Sequence, residues 1–127
     1  MASPLELGFR VATWNMHGCV GIDRIFDPER CMEIIESFDA DILAIQEVSS
    51  RIARRRGLDT FSLVRARTRC EAIEARMTVR DEEHYGHMLL SRWPIIEGEI
   101  HDLTTREREP AKAIEATIMT PRGRLRV

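Results

Sequence analysis

A chain of 127 residues with 19 Lys and Arg against 21 Asp and Glu fits one small domain that can bury a core. Its 43% hydrophobic and 31% charged content is that of an ordinary soluble globular protein, with no low-complexity tract. A net charge of −2 excludes the strongly basic balance of a nucleic-acid-coating protein, and no apolar run approaches the roughly 20 residues of a membrane span.

Cys19, Cys31 and Cys70 are odd in number and lack C-x-x-C spacing, which argues against a disulfide framework or a zinc knuckle and for reduced thiols. Residues 1–10 carry no basic region followed by an apolar block, so no secretory signal is read and a cytoplasmic location is expected.

In chain order, residues 1–8 form a leader with little pattern, and residues 9–15 read as a strand. After His17-Gly18, the segment Cys19–Arg24 is a loop with glycines available for turns. Asp27-Pro28-Glu29 marks a helix start: an N-cap carboxylate, a proline at the first helical position and an acid in the first turn. Cys31, Ile34, Ile35 and Phe38 then recur at helical spacing along one face, and Asp39-Ala40-Asp41 ends the helix. Ile42-Leu43-Ala44-Ile45 is a continuous apolar run, as in a strand covered on both faces. A strand–helix–strand unit of this length can close a parallel pair.

Residues 49–60 are polar and arginine-rich, and Phe61–Arg67 forms a short helix in this reading. Five candidate strands follow: Cys70–Val79, Gly86–Ser91, Ile95–Ile100, Ala113–Met119 and Leu125–Val127. Turn signals at Trp93-Pro94, Glu109-Pro110 and Pro121-Arg122-Gly123 divide the later ones, and short connections favour antiparallel pairing. The closing alternation Arg124-Leu125-Arg126-Val127 stops in mid-strand, which predicts an incomplete domain over residues 1–127.

The chemical centre of this pattern is a pair of strand ends. Val11-Ala12-Thr13-Trp14 stops at Asn15, and Ile42–Ile45 stops at Gln46-Glu47. In open α/β sheets, ligands bind outside the carboxyl ends of the strands, so an amide and a carboxylate are expected in one crevice.

Thr13-Trp14-Asn15-Met16-His17-Gly18, Asp41-Ile42-Leu43-Ala44-Ile45-Gln46-Glu47-Val48 and Tyr85-Gly86-His87-Met88-Leu89-Leu90-Ser91-Arg92-Trp93-Pro94-Ile95 together resemble the opening motifs of the endonuclease/exonuclease/phosphatase superfamily. The resemblance implies an α/β (α+β) fold, here the N-terminal half of a four-layer α/β/β/α sandwich with mixed, mostly antiparallel sheets and flanking helices. It also implies hydrolysis of phosphoester bonds with Mg²⁺ or Mn²⁺. Glu47 matches the metal-binding glutamate of the family and Asn15 its site asparagine. A hard cation that takes one or two carboxylates and keeps several waters suits a single glutamate anchor.

His17, Arg51 and His87 are weaker candidates for substrate contact. His87 stands where relatives often carry asparagine, and Arg51 reads more readily as a solvated surface residue than as a phosphate contact. Gln46 reads as support for the strand end, Arg54-Arg55-Arg56 as an exposed charge run, and Arg92 as structural or site-adjacent. Glu109-Pro110-Ala111-Lys112-Ala113 departs from the arginine that relatives commonly carry after this proline. The family's later Asn-x-His, Asp-x-Asn and Asp-His motifs do not occur in these residues.

The reading from sequence is therefore a divalent-metal-dependent phosphoesterase represented by its N-terminal half. Its substrate would be a nucleic acid, a phospholipid head group or an inositol phosphate. The alternatives are a non-catalytic binding or assembly module, which could self-associate through an exposed sheet face, and a fragment without activity of its own.

Overall fold

The computed structural model describes residues 8–78, 83–108 and 110–127. The leader 1–7, the expected strand end at Val79 and the turn residue Glu109 lie outside them. The apolar runs and alternations become β1 (Val11–Asn15), β2 (Ile42–Ser49), β3 (Glu71–Thr78), β4 (His84–Ser91), β5 (Ile95–Asp102), β6 (Lys112–Thr120) and β7 (Gly123–Arg126). Three helices interrupt them: α1 (Pro28–Ser37), α2 (Arg51–Arg55) and α3 (Thr60–Thr68). The arginine-rich stretch expected as a plain polar segment thus contains a short helix, α2. Buried Ala53 anchors it while Arg54 and Arg55 stay exposed.

Asp27 caps α1 as its sequence position predicts: its Oδ1 accepts the Arg30 amide at 3.0 Å, and Pro28 follows at the first helical turn. Asp27→Ala is expected to lower the stability of the chain by about 1 kcal/mol, read as a lower urea midpoint at unchanged m.

Helix α1 returns the chain so that β2 lies parallel to β1, with Val11 beside Ile42 and Asn15 beside Gln46. The first sheet runs β1-β2-β4-β3 and the second β5-β6-β7; every pairing except β1–β2 is antiparallel. Alternation along β2 divides the core in two. Leu43 and Ile45 face the helices with Ile35, Phe61, Val64 and Met88, whereas Ile42 faces the second sheet with Leu89, Ala116 and Ile118. Helix, sheet and sheet therefore stack as the layers of a sandwich. Among the described residues no helix is long and apolar enough to cross a membrane.

The loop between β1 and α1 is clipped by charge. Asp23 accepts from the Arg30 guanidinium at 2.7 Å and from the Ile25 amide at 3.0 Å. The Arg30 hydrogen bond, then that amide, pulls the Asp23 carboxyl down from 3.8 to about 2. Because the folded-state value is the lower one, this clip contributes above the unfolded value and is lost as pH falls through the folded one. Asp23→Asn should therefore be less stable than the unaltered chain at about pH 6, with the difference vanishing towards about pH 2. A constant difference across that window would refute the assignment.

Candidate active-site cleft

Parallel register sets the carboxyl ends of β1 and β2 side by side, and a local irregularity in β2 then exposes the glutamate. The β2–β4 ladder shifts register between Ile45 and Val48, so Gln46 and Glu47 fall outside its regular pairing. Glu47 takes φ +52°, a left-handed conformation that a residue with a side chain seldom adopts. Such bulges re-aim a side chain, and strained backbone of this kind concentrates at sites. Gln46 holds the strand end as expected: its side-chain amide donates to Thr13 Oγ1 at 2.9 Å, and its carbonyl accepts the Met16 amide at 3.0 Å.

Beyond β1 the chain turns through His17, Gly18 and Cys19, all at positive φ (48°, 58° and 63°). Asn15 Oδ1 accepts the His17 amide at 3.0 Å and so shapes this turn. Gly18 approaches β2 closely: a Cβ there would lie 3.3 Å from the Ser49 Cβ. Cys19 and Cys31 lie buried behind the turn as free thiols, and Cys70 is free and half-buried.

These elements border a cleft of about 510 Å³. The turn supplies His17 and Gly18, β2 supplies Glu47 and Ser49, and α2 supplies Arg51. Met77, Glu83, His84 and Tyr85 come from β3, β4 and the residue before β4, and Pro110 comes from the connection between β5 and β6. The cleft thus opens at one end of the sandwich. Arg51 is largely exposed on its rim, with its Nε 3.9 Å from a Glu83 carboxylate oxygen.

Three of the residues singled out from sequence, Glu47, His17 and Arg51, are gathered here. Asn15 does not line the cleft itself; it is exposed on β1, directly beside Gln46 and adjacent to the turn that does. His87 lies elsewhere. It shares a face of the first sheet with its partner Ala75 and with Leu89, which packs against the second sheet. Burial there pushes its pKa down, partly offset by the backbone of Lys112. Arg92 is held at a different place by Asp39 and by Asp41 at 3.1 Å, a structural role.

Two cleft residues escaped the sequence reading, Glu83 and His84. The strand was expected to begin at Gly86, whereas β4 begins at His84. Strand alternation then puts His84 and His87 on opposite faces, and it is His84 that reaches the cleft.

A separate group, Glu99, His101 and Glu115, has ligand atoms within 4.8 Å of one another on the second sheet. His101 Nε2 lies 3.0 Å from Glu115, which also accepts from Arg126, so the group forms a surface ion network. None of these residues lines the cleft.

Parallel β1–β2 pairing within a mixed sheet, a second sheet packed against it, and an acid at left-handed φ beside the strand ends define an α/β sandwich with a cleft at one rim. The family model described as "Endonuclease/Exonuclease/phosphatase family" matches residues 12–123, and the chain belongs to that family. A solved structure titled endonuclease/exonuclease/phosphatase from Beutenbergia cavernae DSM 12333 superposes with a TM-score of 0.74 at 18% identity, over 93% of this chain and 36% of that one. An endonuclease/exonuclease/phosphatase family protein from Leptotrichia buccalis C-1013-b gives a TM-score of 0.62 at 12% identity, over 94% of this chain and 53% of that one. The chain therefore spans about a third to a half of the length of these structures. Among curated proteins, none matches.

Proposed function

We propose that the cleft is the metal-anchoring part of a phosphoester-hydrolase site, with Glu47 as the ligand to Mg²⁺ or Mn²⁺. The observation that carries this reading is Glu47, which lines the cleft from a left-handed position in an irregular stretch of β2 beside the carboxyl end of β1. The donor chemistry fits a hard cation: among the described residues the cleft offers the carboxylates of Glu47 and Glu83, the hydroxyls of Ser49 and Tyr85 and the imidazoles of His17 and His84, and no thiol. When bound, the metal would polarise a phosphoryl oxygen and stabilise the leaving group.

The remaining roles belong to the chain's own groups. Asn15 orders the His17 turn beside the carboxylate and adds no charge that would repel an anionic substrate. His17 and Arg51 lie on the cleft wall where phosphate oxygens would approach, and Arg51 can serve as a charged donor at the rim. His87, held between the sheets, is not assigned a contact.

The test is a backbone amide spectrum of the chain with and without Mg²⁺ at about millimolar concentration. Selective shifts around residues 15–18 and 46–49 that disappear in Glu47→Gln support the proposal. A spectrum indifferent to Mg²⁺ and Mn²⁺ would overturn it.

A further inference from the structure

We infer that His84 is a ligand-contacting residue of this cleft, a neutral hydrogen-bond donor to a phosphoryl oxygen through its Nε2–H. This rests on the phosphoester reading of the cleft and adds a residue and a protonation form to it.

The backbone of His84 is pinned. Its amide donates to Ser50 Oγ at 2.8 Å, and its carbonyl accepts from the Ser50 amide at 2.8 Å and from the Ser50 hydroxyl at 3.2 Å. Ser50 is buried and lies three residues beyond Glu47, at the head of α2. The first residue of β4 is thereby tied to the segment that carries the metal-anchoring carboxylate. With the backbone held, His84 lines the same cleft as His17, Glu47 and Arg51.

The ring's own hydrogen bonding selects its form. Nδ1 is sealed from solvent and has no hydrogen-bond partner among the described residues. A proton on Nδ1 would be a buried donor without an acceptor. Leaving Nδ1 as a bare lone pair places the proton on Nε2. Among the described residues, the carboxylate and guanidinium groups lining the cleft are those of Glu47, Glu83 and Arg51, and Glu83 and Arg51 are 3.9 Å apart. A neutral donor complements them: it can bond a phosphoryl oxygen without taking Glu47 away from a cation.

The experiment has two stages. First, long-range ¹H–¹⁵N spectra of the histidine rings in the free chain report the tautomer directly; the expected result for His84 is a proton on Nε2. A proton on Nδ1 overturns the inference without touching the assignment of Glu47.

Second, dimethyl phosphate is titrated in saturating Mg²⁺, with Mg²⁺ affinity measured separately for each variant. His84→Ala should weaken dimethyl phosphate about tenfold, the scale of one hydrogen bond to a charged group, at unchanged Mg²⁺ affinity. His84→Gln, whose amide nitrogen reaches the Nε2 position, should retain binding, whereas His84→Asn should behave as alanine does. This pattern separates a contact from a packing role, because both amides fill the space and only one places the donor. Equal affinities in all variants, or no dimethyl phosphate binding by the unaltered chain, would overturn the inference. The wider reading of the cleft fails only if Mg²⁺ binding at Glu47 is absent as well.

Discussion

Glu47→Gln is expected to weaken Mg²⁺ by on the order of 100-fold or more, since altering groups that merely support a metal ligand already costs about 10–100-fold. Glutamine keeps the size and the bulge but removes the anionic charge that a hard dication requires. The measurement is a Mg²⁺ titration followed by calorimetry or by amide shifts at residues 15–18 and 46–49. An affinity within about threefold of the unaltered chain would mean that the metal, if bound, sits elsewhere, with the Glu99–His101–Glu115 network as the next place to look.

A companion variant separates the carboxylate from the backbone. Glu47 sits at φ +52°, where a side chain costs about 1–2 kcal/mol and glycine is at ease. Glu47→Gly should therefore lose Mg²⁺ binding while keeping the stability of the fold or raising it by up to about 1 kcal/mol. Loss of binding with retained or increased stability is the signature of a residue placed for chemistry against its own conformational preference. A clear loss of stability would instead mark Glu47 as part of the packing.

The second large effect falls on Gly86, inside the third sequence motif. It is buried in β4 between Val48 of β2 and Arg76 of β3, and a Cβ there would lie 1.9 Å from the Ala75 carbonyl oxygen. That oxygen belongs to the backbone, so no rotamer change relieves the contact; the β3–β4 ladder must separate. Gly86→Ala is expected to lower stability by about 3 kcal/mol or more, at the upper end of overpacking costs. Because β3 and β4 are paired from Glu71–Ser91 through to Thr78–His84, the displacement should also reach the His84 end of the cleft. Urea unfolding measures the first effect, and the His84 ring resonances report the second. A change below about 1 kcal/mol would show that the two strands can part there at little cost.

What the sequence by itself determined is the set of elements and the family they belong to. The N-cap at Asp27, the apolar stripe of α1, the unbroken run Ile42–Ile45 and the alternating later strands all follow from local chemistry, since period and capping are properties of neighbouring residues. Asn15 and Glu47 stand out because each closes such a run, and three motifs in order pointed to the family that residues 12–123 match. Tertiary structure decided the rest. The left-handed φ of Glu47 arises from a register shift against β4, a strand some 40 residues away, which no local pattern encodes. His84 belongs to β4 only because the strand begins two residues before Gly86, and its separation from His87 depends on which face the second sheet covers. Arg92 found Asp39 and Asp41, while Arg51 was left on the cleft rim near Glu83. Similar arginines thus took different roles, because long-range packing, rather than residue type, decides which charge meets which partner.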